Sequence, residues 1–296
     1  MRDVLISKPE TVQEVLVNAT RALGATMEYH EARLQAELLL AHSLDIPRSA
    51  LLARLDESVA PDVAARYAAN VARRAKHEPL AYILGHTEFY GLDFVVDRRV
   101  LIPRHETETL VELALDAARR TGHVAPVIVD VGTGSGAIAL TLAKNLAQAR
   151  MIATDTSRDA LAIARTNAKR LHLESRVEFL QGDLLEPFAG SFDLLVSNLP
   201  YIPSQRFDRL PREVRAFEPR VALDGGADGL MVMRRLLQQI EPRAVRGAVA
   251  FLEISEEQGK AALELAQQTL PRARVARHQD LEGLDRVIEI RLNGDG

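Results

Sequence analysis

From His105 onward the chain alternates amphipathic helical segments with short apolar runs, and this alternation limits what it can fold into more than any other feature. The order is "HETETLVELALDAARR", "PVIVDVG", "AIALTLAKNL", "RMIATD", "SRDALAIARTNAKRL", "VEFLQGD" and "FDLLVSN". A helix through "LMVMRRLLQQI", then "GAVAFLEI", another helix and "RVIEIRL" complete it. Runs that are apolar on both sides belong to strands covered on both faces, and parallel strands need a crossover between them. The pattern therefore predicts an α/β domain over residues 105–296 with a mostly parallel sheet between helices.

Ahead of this domain the period is helical. From Thr11 to about Lys76, Val12, Val15, Leu16, Ala19 and Leu23 share one face, and Thr11 with Glu14 forms a capping box that starts the first helix. Leu34, Leu38 and Leu39 continue the apolar pattern, and Pro61 suits the first turn of a further helix. A small helical bundle is expected over residues 1–80. Between the two regions, "TEFYGLDFVVDRRVLIP" turns to β-type residues around Gly91, which predicts a hairpin closed by Pro103 and a linker over 81–104. The chain shows no internal repeat and no low-complexity segment.

At 296 residues, 47% of them hydrophobic, the chain is long enough for two cores. No apolar run is long enough to span a bilayer, and "MRDVLISKPETVQEVL" carries charges where a signal peptide would have its apolar centre, so a soluble cytoplasmic protein is expected. The absence of cysteine excludes disulfides and thiolate zinc sites, and no metal site is expected. A formal net charge of -4 argues against a protein held to nucleic acid by general phosphate contacts.

The first strand of the α/β domain ends in Asp130-Val131-Gly132-Thr133-Gly134-Ser135-Gly136 and leads into a helix. Glycines at such a turn let the backbone bend sharply and let a ligand lie against it, and with Ala137 a dinucleotide form of the motif is also readable. The next strand ends in Asp155, placed to accept from ribose hydroxyls as any nucleoside cofactor requires. Its alternative duty, capping the following helix, is contested by Ser157. The third strand ends in Gly182-Asp183-Leu184, where Asp183 can accept from an adenine amine and Leu184 can cover the ring. A plain loop carboxylate is the competing reading of Asp183.

The fourth strand gives way to Asn198-Leu199-Pro200-Tyr201 beside the same cleft. A dehydrogenase does not need this tetrapeptide, whereas an enzyme that methylates a planar sp2 nitrogen does. The lone pair of such a nitrogen is delocalised, so two acceptors drawing on its N–H groups would orient it and return electron density. Asn198 can supply one acceptor from its side chain and Leu199 the other from its backbone. Pro200 biases Leu199 toward an extended conformation, and Tyr201 can stack on the planar group. Most of the catalysis would then be positioning, without a strong general base.

With these residues in view, "DVGTGSGAIAL", Asp155, "GDL" and "SNLPYI" resemble the class I S-adenosylmethionine-dependent methyltransferases that act on amino nitrogens. "PLAYILGHTEFYGLDFVVDRRVLIPRHETETLVE", "EPRVALDGGADGL", "FLEISEEQG" and "DLEGLDRVI" narrow the resemblance to the protein-(glutamine-N5) methyltransferases of peptide-chain release factors, the PrmC or HemK family. The resemblance implies a helical substrate-docking domain, a hairpin linker and a Rossmann-like catalytic domain. It implies S-adenosylmethionine as cofactor, held by Asp130, Gly132, Thr133, Gly134, Ser135, Gly136, Asp155, Asp183 and Leu184, with Asn198 bordering it. It further implies that Asn198, Leu199, Pro200 and Tyr201 are the catalytic and substrate-binding residues, gripping the glutamine of the Gly-Gly-Gln tip of class I release factors. No nucleic acid or membrane partner is implied, and a monomer is the simplest expectation.

Three positions depart from the family pattern. Leu199 stands where a first proline is usual, which keeps the carbonyl but frees φ from a ring. Asn-Leu-Pro-Tyr also occurs in adenine dimethyltransferases of ribosomal RNA. His105 replaces a proline and Ser255 a glycine, and His105 is expected to be a surface or packing residue. Methylation of adenine in RNA or DNA, methylation of a ribosomal-protein glutamine, and a cofactor-binding module without turnover are the alternative functions. An adenine enzyme would be expected to carry a basic or aromatic surface for its strand, and the chain has no tryptophan and no marked basic run beyond "ARRAKH".

Overall fold

Tertiary contacts divide the chain into two units, one made of residues up to Gly85 together with Arg212–Phe217, the other of His86–Pro211 and Glu218 onward. The structure is a computed structural model and describes residues 10–120 and 123–292. The stretch before Glu10, on which the expectation about a signal peptide rests, lies outside the described residues.

The first unit contains α1 (Val12–Leu23), α2 (Tyr29–Leu44), α3 (Arg48–Leu52), α4 (Pro61–Ala75) and α5 (Leu80–Leu84). Thr11 caps α1 reciprocally with Glu14, and Val12, Val15, Leu16, Ala19 and Leu23 are buried along one stripe. Pro61 opens α4. On α2 the apolar face differs from the sequence reading: Leu39 is fully buried, but Leu34 is exposed and Leu38 only half-buried. The inward stripe uses Ala32, Ala36, Leu39 and Leu40, and it admits Gln35 and Glu37 because arginines meet them. Arg33 and Arg48 donate to Glu37 at 2.6 and 2.8 Å, and Arg74 donates to Gln35. Buried polar groups with such partners cost far less than bare ones, so small side chains and paired polar ones build this face together.

The second unit opens with a hairpin, β1 (His86–Phe89) and β2 (Leu92–Val95), whose turn residues Tyr90 and Gly91 both have positive φ. That conformation matches the twist of a two-residue hairpin loop. Next come α6 (Thr107–Arg120), β3 (Val127–Val131), α7 (Ala137–Asn145), β4 (Arg150–Asp155), α8 (Arg158–Arg170), β5 (Val177–Gln181) and β6 (Phe192–Ser197). After α9 (Arg212–Phe217), which belongs to the first unit, come α10 (Met231–Ile240), β7 (Ala244–Glu253), α11 (Gly259–Thr269), β8 (Arg274–Gln279) and β9 (Asp285–Arg291). One seven-stranded sheet has the order β5-β4-β3-β6-β7-β9-β8, parallel through β7 and antiparallel at β9 and β8.

Alternate residues of the central strands feed two cores. Ile128, Met151, Leu194, Val196 and Phe251 pack with α6 and α7, while Val129, Ile152, Leu195, Ala250 and Ile288 pack with α10 and α11. Among the described residues, no helix is long and apolar enough to cross a membrane. The edge strand β8 reads "RVARHQ" and escaped the sequence reading, because a half-solvated edge needs no apolar run.

Asn167 on α8 ties the hairpin to the cofactor-type loop. Its side chain accepts from the Val95 N–H at 2.7 Å and donates to the carbonyls of Val95 and Ser135 at 3.0 and 2.9 Å, with no exposure to solvent. Asn167→Ala strands three buried backbone groups, and we expect a loss of roughly 2–4 kcal/mol, read as a lower urea midpoint at unchanged slope.

Candidate active site

The chain order of the sheet reverses beside β3: β4 and β5 lie on one side, β6 and β7 on the other. In an open parallel sheet the loops diverge at such a switch point and leave a crevice at the carboxyl ends of the strands. A cavity of about 780 Å³ lies there. Its lining includes Gly132 to Ser135 after β3, Asp155 after β4, Asp183 and Leu184 after β5, and Asn198 to Pro200 after β6.

The loop after β3 is held from below. The N–H groups of Gly132 and Thr133 both donate to the Thr154 carbonyl, at 2.9 and 3.0 Å. Gly134 has φ +56, and a Cβ built on it meets nothing within 4 Å, so its missing side chain leaves space in the crevice itself. A Cβ at Gly132 would instead come within 3.2 Å of Leu199 Cδ2, which shows how closely the two loops approach.

Two acids sit under this loop. Asp130 is fully buried; its Oδ2 accepts from Thr133 Oγ1 at 2.6 Å and from the Ala139 N–H at 3.2 Å, while Oδ1 has no hydrogen-bond partner among the described residues. Burial pushes its pKa up from 3.8 to about 7, against the opposing effect of those two donors. Asp155 accepts from the Gly134 N–H at 2.9 Å and the Ser157 N–H at 2.8 Å. Burial raises its pKa as well, and the backbone donors restrain the rise. Ser157, not Asp155, caps α8.

An orphaned buried oxygen, a glycine cradle open to the cavity and a carboxylate at the end of β4 fit an adenosyl ligand with a cationic amino-acid end. Asp183 lines the cavity but is ion-paired with Arg235, a cavity residue on α10 that sequence reading missed. Its carboxylate is thus anchored by a cation rather than left free in a loop. Leu184 is buried with φ +50.

The tetrapeptide divides. Asn198, Leu199 and Pro200 line the cavity; Tyr201 is not among its lining residues, and the charges of Glu253, Arg286, Arg104 and Glu106 act on its phenol. The expectation that Tyr201 stacks on a planar substrate therefore has no support in its position here. Asn198 Nδ2 donates to Thr107 Oγ1 at 3.1 Å, which turns its nitrogen inward. Among the described residues no group donates to the Leu199 carbonyl. His105 is exposed, 3.6 Å from Glu108, in line with a surface role.

Sequence reading also left the far wall without a role. Pro219, Arg220, Val221, Ala222, Asp224 and Gly226, from "EPRVALDGG", line the cavity opposite the glycine loop. Main-chain bonds join the Ile202 N–H to the Leu223 carbonyl and the Gly225 N–H to the Ile202 carbonyl, at 2.9 and 2.8 Å. A Cβ on Gly225 would fall 2.7 Å from the Pro200 carbonyl, so only glycine allows this approach. Glu218 binds Arg104 and the Ile102 N–H, joining this wall to the loop before α6.

Comparison with known proteins places both units. The profile of the PrmC N-terminal domain matches residues 14–85, and that of a methyltransferase domain matches residues 128–217. A release factor glutamine methyltransferase of Moorella thermoacetica is 46% identical over 86% of this chain and 89% of its own length. That of Geobacter sulfurreducens is 42% identical over 97% of this chain and 100% of its own. A methyltransferase structure from Pyrococcus furiosus, 17% identical, superposes with a TM-score of 0.52 over 69% of this chain and 91% of that one, a likeness of fold.

The raised pKa of Asp130 has a consequence for stability. Between its ordinary 3.8 and about 7, the folded chain keeps a proton that the unfolded chain has lost, so stability falls as pH rises through that window. Asp130→Asn is expected to flatten the decline of Tm with pH across this range in thermal unfolding of the ligand-free protein.

Proposed function

The chain belongs to the release factor glutamine methyltransferases, and from that premise we propose how its crevice methylates the side-chain amide of the glutamine in a Gly-Gly-Gln tip. S-adenosylmethionine supplies the methyl group on a sulfonium. Gly132 to Ser135, Asp155, Asp183 and Leu184 are the residues that would hold it, with Asp130 beneath the loop.

The observation that carries the reading is the shared cavity: the glycine loop and Asn198-Leu199-Pro200 face one space, from adjacent strands. A glutamine amide presents two N–H donors in a plane. With Asn198 Nδ2 engaged by Thr107, Oδ1 is the atom left to accept one of them, and the unengaged Leu199 carbonyl accepts the other. Both contacts draw on the nitrogen lone pair's competition with the amide carbonyl and fix the direction of attack. In the transfer an N–C bond would form as the S–C bond breaks, the sulfur keeping the electron pair as a neutral thioether, and the nitrogen, made strongly acidic by alkylation, would release one proton to water. Positioning is then the main contribution of the protein.

Docking of the release factor outside its tip is assigned to the helical unit. Its exposed large apolar side chains, Val17, Tyr29, Leu34 and Leu52, support that assignment.

Mass spectrometry of a class I release factor after incubation with the protein and S-adenosylmethionine is expected to show one added methyl on the Gly-Gly-Gln glutamine. Methyl on adenine of a parallel ribosomal RNA fragment, with none on the glutamine, would overturn the reading. Asn198→Ala is expected to abolish transfer and leave binding of S-adenosylhomocysteine largely intact by calorimetry. Gly134→Ala should instead weaken cofactor binding, and transfer with it. The chain would still fold at a cost of about 1–2 kcal/mol for a side chain at positive φ, while the intruding methyl weakens that binding by about tenfold or more.

A further inference from the structure

Glu253 ends β7 directly beside the tetrapeptide. Ser197 pairs with Leu252 across the parallel strands, so Asn198 and Glu253, each the next residue, emerge side by side at the carboxyl end of the sheet. Glu253 is 4% exposed and its Oε2 is buried without a hydrogen-bond partner among the described residues. Nor does it make an ion pair there: Arg286 on β9, the nearby cation, is held by Asp280 at 2.9 and 3.0 Å. A carboxyl group so placed is costly, and nothing in cofactor binding uses it, since it lines no part of the cavity.

Its neighbours give it a task. Asn198 Nδ2 donates to Thr107 Oγ1 at 3.1 Å, and Thr107 and Asn198 are the uncharged polar side chains that lower the Glu253 pKa against its burial. An amide beside acceptors turns its nitrogen toward them. We propose that Glu253 is a positioning residue for methyl transfer, its carboxylate and the Thr107 hydroxyl drawing Asn198 Nδ2 into the protein so that Oδ1 faces the substrate nitrogen. The inference rests on the assignment of Asn198 to the substrate amide.

The arrangement works only while Glu253 is an acceptor. Burial pushes its pKa up to about 7, with Thr107, Arg286 and Asn198 opposing the rise and Glu106 adding to it. The Tyr201 phenol, which also faces it, is itself raised by burial and by the Glu253 charge. Once protonated, Glu253 can donate to Asn198 Oδ1 and reverse the amide, which then presents N–H groups to the N–H groups of the substrate nitrogen. Turnover therefore rises with pH as Glu253 ionises.

Two measurements on the full chain test this. In the ligand-free protein, the side-chain amide signals of Asn198, identified by their loss in Asn198→Ala, are followed by NMR from about pH 6 to about pH 8.5. They should titrate in the wild type and stay flat in Glu253→Gln. With a release factor as acceptor, Glu253→Gln should lower kcat by about 10- to 100-fold, abolish its rise with pH, and leave S-adenosylhomocysteine affinity unchanged. Thr107→Val should lower kcat likewise, and Thr107→Ser should restore it.

Asn198 signals that titrate equally in Glu253→Gln, or a variant with wild-type kcat and pH profile, would overturn the inference. A wild type that leaves the release factor unmethylated while its Asn198 signals titrate would overturn the functional reading and leave the contact between Glu253 and Asn198 standing.

Discussion

Val131 and Ser197 stand opposite each other at the ends of two parallel strands, and Ser197 Oγ closes the pair by donating to the Val131 carbonyl at 2.6 Å. The chemistry begins at the next residue of each strand: the glycine loop on one side, Asn198 on the other. Because β3 and β6 are adjacent in the sheet but far apart in the chain, the loops diverge and leave a crevice between them. A slip of one register position would turn Asn198 to the opposite face, so the burial of β6 on both faces, which enforces the register, also places Asn198, the proposed substrate acceptor. The neighbouring strand extends the logic, since the pairing of Ser197 with Leu252 brings Glu253 alongside.

The same end of the sheet gathers buried acids. Asp130, Asp155 and Glu253 all have raised pKa values with burial as the first cause, and Asp130 and Glu253 each keep one oxygen without a partner among the described residues. A fold selected for stability alone would fill these places with apolar or fully satisfied groups. Such costs concentrate where charge is used. Asp155 spends its acceptors on the backbone of the loop it supports, Asp130 keeps an oxygen beneath that loop, and Glu253 keeps one at the end of β7, across the strand pair from Asn198.

The sheet is legible in the sequence because its central strands are apolar on both faces and each ends in a motif: "DVGTGSG", "TD", "QGD" and "SNLPY". The capping box at Thr11 and the Tyr-Gly hairpin turn are legible for local reasons, being written within four residues. What escapes depends on partners distant in the chain. Arg33 lies one turn from Glu37, but nothing near Gln35 or Glu37 announces that Arg48 and Arg74 will also meet them and let them face inward, and so Leu34 reads as core in the sequence and lies exposed in the fold. Arg235 is one arginine of an adjacent pair on an amphipathic helix until Asp183 comes beside it. Thr107 reads as helix N-terminus and Glu253 as the end of a strand; only the packing of α6 and the pairing of β6 with β7 make them neighbours of Asn198. Proximity in sequence puts Tyr201 on the substrate, whereas of the tetrapeptide only Asn198, Leu199 and Pro200 line the cavity.

Leu199 shows how one of these distant contacts can replace a covalent one. A proline at this position would hold φ by its ring; leucine leaves φ free in an unfolded chain. Here the Leu199 side chain is 7% exposed, lies with Val131 and Leu195 in the core beneath the crevice, and reaches to within 3.2 Å of where a Cβ on Gly132 would stand. Pro200 restricts the residue from the other side by excluding the helical region. The Leu199 carbonyl, which we propose accepts from the substrate amide, is thus held between a packed side chain and the following ring. Packing of this kind links the acceptor to the glycine loop, which a proline ring of smaller reach would do less. On the proposed reading, the cofactor and the substrate amide therefore share one wall, and the departure from the family pattern shifts the source of preorganisation from the backbone ring to the core without removing it.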